Sequence, residues 1–260
     1  MDLLRGRVVT AADPALEMAA STALLQRARR GVLESALRVF RPTPMVAFGR
    51  RDASRPGFGA AARACRRAGF TPVLRASGGR AVAVTGQALV LEHVQRDPAP
   101  LDDPRIGALA GGGMDDRFEE FGAMLAGVLA DFGIDARVGE VPGEFCPGAH
   151  SVNARGVVKL VGTAQRVVRD AWFFSSVVVV DDHQVLRPLL AEVYEELGVR
   201  FDPASVGSVR AEAPGIDIDE LEQAVIGAYD DRFGLVDVPL DPDLEGEAGA
   251  LLADHRVEGD

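Results

Sequence analysis

Lys159-Leu160-Val161-Gly162-Thr163-Ala164-Gln165-Arg166 is the stretch on which the reading of this chain turns, because Lys159 is its only lysine among 28 basic side chains. A sequence that uses a guanidinium at every other cationic position, yet keeps one ammonium, needs something there that arginine cannot do. Arginine is planar and always protonated, whereas lysine is a compact point charge that can lose its proton when buried or crowded. Working outward, two brief strands turn at Arg155-Gly156 and Lys159 lies on the second. Gly162-Thr163 is expected to break that strand and Gln165 to Arg169 to continue it. Arg169-Asp170 then forms a corner before the strand-like run Trp172 to Asp182. Upstream, Gly139 to His150 is a Pro/Gly loop that carries Cys146 in Gly143-Glu144-Phe145-Cys146-Pro147-Gly148.

The amino-terminal half alternates strands and helices. Asp13-Pro14 caps a helix over 14–30 that Gly31 ends. Leu37 to Phe40 and Met45 to Phe48 flank Arg41-Pro42-Thr43-Pro44 and read as a hairpin-like pair. A second helix over 57–68, stopped by Gly69, hands over to the strand Pro72 to Arg75, and Cys65 within it reads as a small packed side chain. Val82 to Val84 and Ala88 to Val94 are strands. Apolar residues at helical spacing make Arg117 to Phe132 a helix covering one face of a sheet, and Leu186 to Leu197 and Ile218 to Tyr229 are helical. Residues 1–235 read as one catalytic domain. Residues 236–260, acidic and interrupted by Pro and Gly, are expected to fold poorly.

Composition sets the bounds. With 260 residues and 47% apolar content the chain can bury a substantial core. No stretch approaches the roughly 20 apolar residues of a membrane span, and no leader is legible, so a cytoplasmic protein is expected. Two cysteines cannot form a disulfide framework, and without clustered Cys and His no metal site is expected. The formal net charge of −11 falls largely on the carboxy-terminal segment, and no basic stripe indicates nucleic-acid binding.

Three pieces carry chemistry: Arg75-Ala76-Ser77-Gly78-Gly79, where adjacent glycines allow close backbone approach; the Cys146 loop, where a nearby cation can favour the thiolate; and Lys159 with Gly162 to Arg166. Val46-Ala47-Phe48-Gly49-Arg50-Arg51-Asp52, then Arg75 to Gly79, then Lys159 with Gly162 to Arg166, in that order, resemble the lipoate and octanoate branch of the biotin/lipoate protein ligase superfamily over roughly Val46 to Asp182. The resemblance implies an α+β fold, a mixed, largely antiparallel sheet flanked by helices, and places Lys159 on the family's active-site lysine. The run Arg80-Ala81-Val82-Ala83-Val84-Thr85 departs from the Tyr-His-Asp segment of ATP-using ligases. Glu144-Phe145-Cys146-Pro147-Gly148 is instead similar to the cysteine loop of the amidotransferases that move octanoyl or lipoyl groups between carrier proteins.

That resemblance implies a transferase in which Cys146 accepts the acyl group as a thioester and Lys159 lowers the thiol pKa and moves the proton. Arg75, Ser77, Gly78, Gly79, Gly162, Thr163, Ala164 and Gln165 would bind substrate. No cofactor is required. Partners would be an acylated carrier, either the glycine-cleavage H protein or an acyl carrier protein, and lipoyl domains, with no nucleic acid or membrane. Two alternatives stay open: an ATP-dependent ligase working through an acyl adenylate, and a non-catalytic acyl-binding protein. His150, four residues beyond Cys146, is a weaker candidate for a base because Lys159 fills that role.

Overall fold

The computed structural model describes residues 1–8, 13–98 and 112–259. Its elements are β1 (Asp2–Arg5), α1 (Pro14–Arg29), β2 (Ser35–Phe40), β3 (Met45–Phe48), α2 (Arg50–Ala53), α3 (Phe58–Arg67), β4 (Thr71–Leu74), β5 (Val82–Val84), β6 (Ala88–Arg96), α4 (Gly112–Asp131), β7 (Ala136–Val138), β8 (Val152–Ala154), β9 (Val158–Val168), β10 (Ala171–Val179), α5 (His183–Glu196), α6 (Val209–Glu212), α7 (Ile218–Phe233), β11 (Val236–Asp237) and α8 (Asp243–Leu251). They form an eight-stranded sheet in the order β11-β1-β2-β6-β10-β9-β8-β7 and a three-stranded sheet β4-β3-β5. Pairing is antiparallel except at β11–β1, β1–β2 and β3–β4. Among the described residues no helix is long and apolar enough to cross a membrane.

Alternation along the central strands sorts the core into two halves. Leu89 and Leu91 of β6 with Phe174 and Val178 of β10 face α4 and α7, where Phe121, Leu125, Leu221 and Tyr229 close a buried cluster. The other face, with Val94 and Phe173, meets α1, and Val179 packs beside the small sheet, α3 and α5. Asp13 caps α1 as its sequence suggests, its carboxylate accepting the Ala15 N–H at 3.0 Å.

Three expectations are corrected. Residues 37–40 and 45–48 are not a hairpin: β2 pairs with β6 in the large sheet, while β3 lies between β4 and β5 in the small one. Pro42 and Pro44 fix φ and remove two donors, so the connection carries the chain from one sheet to the other. β9 runs unbroken through Gly162-Thr163, because both residues are held in register opposite Val177 and Ser176 of β10. Nor is the segment 236–260 poorly folded over its described residues. β11 adds to the sheet beside β1, Leu244 and Ala248 of α8 are buried against α1, and Arg27 of α1 pairs with both Asp241 and Glu247. The acidic charge that argued against folding is thus matched by an arginine on the helix it packs against.

Candidate active site

Cys146 sits on the loop between β7 and β8 with φ +43°, one of four positive-φ residues other than glycine among those described. A side chain rarely adopts this region, and such strain persists only where the surroundings over-determine it. Here three groups do so. The buried Glu144 carboxylate gathers the loop, accepting the N–H groups of Val141 (3.2 Å) and Gly148 (3.0 Å) and the Ser151 hydroxyl (2.6 Å). Tyr194 of α5 accepts the Cys146 N–H through its hydroxyl at 2.6 Å and donates to the Ala81 carbonyl at 3.0 Å. Lys159, 1% exposed, donates to the carbonyls of Cys146 (2.8 Å) and Phe145 (3.0 Å) and reaches Glu144 Oε1 at 3.3 Å. The sole lysine thus threads through β9 to hold the cysteine loop from below. A Cβ at Gly162 would stand 3.4 Å from its Cε.

The sulfur is half-buried and has two donors: the Arg80 N–H at 3.2 Å and Arg75 Nη2 at 3.4 Å. Arg75 is itself fixed by the Arg80 carbonyl at 2.6 Å. Burial is the largest single influence on the thiol and opposes ionisation. The Arg75 guanidinium, the Lys159 ammonium and the Arg80 N–H together outweigh it, and the thiol lies below its ordinary value. Burial pushes the Lys159 ammonium down, against the pull of Cys146 and Glu144. Cys65 is the opposite case: full burial pushes its thiol up to about 12 and leaves it inert.

A cleft runs between α1, the small sheet and the inner face of β6 and β10, with Met18, Leu25, Val84, Val90 and Phe173 among its apolar lining. A narrower space at the sulfur, lined by Cys146, Gly162, Thr163 and Ala164, shares Arg75, Val82, Ser175 and Val177 with it. The cleft's deep wall is polar. Glu92 lies in it, bonded to Ser21 Oγ at 2.5 Å and to the fully buried Arg38 at 3.0 Å, and Arg38 also pairs with Glu17. Burial pushes the Glu92 carboxyl up despite Arg38.

The residues singled out from sequence are mostly, though not all, brought together. Cys146, Lys159, Arg75, Gly79, Gly162, Thr163 and Ala164 surround the thiol, and Ser77 lines the cleft. Gly78 is solvent-exposed beside them. Gln165 instead belongs with α4, its side chain accepting from Arg117 and donating to the Met114 carbonyl. His150 stacks on Phe118 with ring centroids 5.4 Å apart and makes no contact with the thiol that would support a dyad. Glu144 and Tyr194 were not anticipated. Glu144 lies two residues before the cysteine, which marks it once the loop is suspected, whereas nothing in the sequence ties Tyr194 to that loop.

Comparison with known proteins supplies a frame for this arrangement. Residues 13–230 match the model of the lipoyl protein ligase A/B catalytic domain. An octanoyl-[GcvH]:protein N-octanoyltransferase of Geobacillus kaustophilus is 26% identical over 186 residues, 72% of this chain and 62% of the relative. The enzyme of the same name from an Exiguobacterium species is 30% identical over 133 residues, 51% of this chain and 43% of that one. The chain therefore spans less than two thirds of the length of the curated relatives it matches. Among solved structures, a bipartite lipoate protein ligase of Thermoplasma acidophilum aligns with TM-score 0.70 at 16% identity, covering 97% of this chain and 92% of that one. Lipoate-protein ligase A bound with ATP aligns with TM-score 0.70 at 17% identity, covering 97% and 95%. At such identities these two speak to the fold.

Proposed function

Because the chain belongs to the lipoyl protein ligase A/B catalytic-domain family, we propose that it moves an octanoyl or lipoyl group from a carrier protein to a lysine of a lipoyl domain through a thioester on Cys146. The observation that carries this reading is the thiol itself. It sits at positive φ, with two hydrogen-bond donors and two nearby cations, at the mouth of an apolar cleft.

In the first half-reaction the Cys146 thiolate adds to the acyl carbonyl of the donor. The C–N bond of an octanoyl-lysine donor, or the C–S bond of a thioester carrier, breaks, and the leaving group takes a proton. In the second, the acceptor lysine's neutral amine adds to the thioester. The C–S bond breaks, the amine loses its proton and the thiolate returns. Two easier displacements replace direct attack of an amine on an amide. Arg75 and the Arg80 N–H favour the thiolate in the resting site and stand beside the carbonyl once it is attached. Lys159 supplies the proton and takes one back. Its neutral form keeps two N–H groups for the two loop carbonyls, so it can release a proton without releasing the loop.

We assign the acyl chain to this cleft, where its burial would be worth ~0.8 kcal/mol per methylene, about 5 kcal/mol for an octanoyl tail. The names of the curated relatives favour the glycine-cleavage H protein as donor over an acyl carrier protein. No cofactor enters the thioester route, and ATP is consumed only if the chain works as a ligase. A cytoplasmic location suits a thiol that must stay reduced. Intact mass after incubation with octanoylated H protein tests the proposal. A single octanoyl adduct on Cys146, removed by hydroxylamine and absent from Cys146→Ser, is expected. Absence of any adduct, with ATP-dependent transfer that survives Cys146→Ser, would overturn it in favour of an acyl-adenylate ligase.

A further inference from the structure

Residues 50–80 hold eight arginines and a single acid, Asp52, so this stretch carries +7 in a chain of formal net charge −11 and leaves −18 on the rest. The fold brings part of that stretch to the thiol. Gly49 packs so closely on the glycine pair that a Cβ there would lie 2.1 Å from the Gly79 carbonyl oxygen, and a Cβ on Gly79 would lie 2.6 Å from Cys146 Sγ. Arg80, whose N–H bonds the sulfur, ties α2 to the same loop through Asp52 at 3.0 Å. Gly78 and Gly79 are exposed, and Arg50 and Arg51 open α2 directly after Gly49, the residue packed on that glycine pair. Both side chains are exposed and, among the described residues, neither makes an ion pair or side-chain hydrogen bond. Arg67 and Arg155 are matched to Glu192 and Glu212, whereas Arg63 of the same stretch is exposed and unpaired among the described residues, so what sets Arg50 and Arg51 apart is their place beside the glycine pair.

We infer that Arg50 and Arg51 form, with Arg80, a docking rim for a carrier domain whose surface around the modified lysine is acidic. This rests on the acyl-transfer reading, since the rim is placed where a protein-borne acyl arm must enter. A domain carrying negative charge is repelled by most of this chain and attracted at one place, which orients it on approach as well as raising the rate of encounter. The attraction is between exposed groups, so salt screens it over a Debye length of about 10 Å at 0.1 M.

The test compares the wild-type protein with Arg50→Glu/Arg51→Glu and the milder Arg50→Gln/Arg51→Gln, using an octanoylated acidic H protein, the same domain without its acyl group, and the small thioester octanoyl-N-acetylcysteamine. Expected are a rise of about tenfold or more in KM for the octanoylated domain in the reversal variant, a smaller rise in the neutral variant, and kcat within about twofold of wild type. Acylation of Cys146 by the small thioester should be unchanged. Binding of the unacylated domain at low salt should be lost with the reversal and weakened by added salt. An unchanged KM and unchanged binding would overturn the inference, as would an equal slowing with the small thioester, which would make the arginines part of the acyl site. Failure of every donor to acylate wild-type Cys146 would sink the transferase reading. The binding measurement would still decide for or against the rim.

Discussion

Gly79→Ala is the sharpest perturbation of this site, because one methyl group is aimed at both the sulfur and its cation. The added Cβ would stand 2.6 Å from Cys146 Sγ and 2.5 Å from Arg75 Nη2. Comfortable separation for such atoms is about 3.5–4 Å, so sulfur or guanidinium must retreat by roughly 1 Å. The sulfur's bonds to the Arg80 N–H and Arg75 are already 3.2 and 3.4 Å long, and a shift of that size breaks at least one. A misplacement of about 1 Å at a reacting group costs on the order of 10²-fold in rate. The backbone adds its own cost: φ is +99° at Gly79, where a side chain is strained by about 1–2 kcal/mol. Transfer of octanoyl between carriers should therefore fall by about 10²-fold, and the pH midpoint for alkylation of Cys146 by iodoacetamide should move up towards that of an ordinary thiol. Gly78→Ala is the control, since its Cβ would meet nothing within 4 Å and its φ is not in the restricted region. Wild-type turnover with an unmoved alkylation midpoint in Gly79→Ala, or an equal loss in Gly78→Ala, would refute the reasoning.

Tyr194→Phe leaves the Cys146 N–H and the Ala81 carbonyl without their shared partner, so unfolding in urea should show a loss of roughly 2 kcal/mol and transfer should slow by about tenfold. Native protein treated with iodoacetamide near neutral pH should take up one label, on Cys146, while Cys65, whose thiol burial pushes up to about 12, reacts only after denaturation; peptide mapping reads both. His93 lies among Phe121, Trp172, Tyr229 and Phe233, and burial pushes it down to about 4. Its folded-state pKa is below the unfolded value of about 6.5, so the unfolded chain binds the extra proton in between. Stability is then full above about pH 6.5 and falls by up to about 3 kcal/mol as pH drops to 4. His93→Phe should remove that part of the acid sensitivity, seen by comparing urea midpoints at pH 7 and pH 4.5.

How much of this was legible in the sequence depends on whether the decisive contacts are local. The helix over α1 announced itself through Asp13-Pro14 and Gly31, and the β9–β10 corner through Arg169-Asp170, because caps and tight turns are set by neighbouring residues. The ordered motifs picked out Lys159 and the glycine pair, and the loop Glu144 to Gly148 picked out Cys146; the fold gathers them round one thiol. Sheet membership was not legible at Phe40 and Met45: the same apolar runs suit either sheet, and the partners β6 and β4 lie elsewhere in the chain. Nor was it visible that Gln165 would point to α4 while Ala164 faced the cleft, a matter of strand phase that one residue reverses. Arg75 was read as a substrate contact, and its distance to the sulfur, 71 residues ahead, belongs to tertiary structure alone.

The segment after α8 braces the strand that leads to the sulfur's cation. His255 bonds the Leu74 carbonyl at 2.7 Å, one residue before Arg75, and meets Thr22 Oγ1 of α1 at 3.0 Å, while Arg256 reaches Asp13 at the head of α1. The strand that delivers the sulfur's cation is thus pinned by residues synthesised about a hundred positions after the sulfur. β3 pairs with that strand from its other side and Phe48 accepts the Arg75 N–H at 3.0 Å, so the guanidinium is fastened both by near neighbours and by a segment remote in sequence.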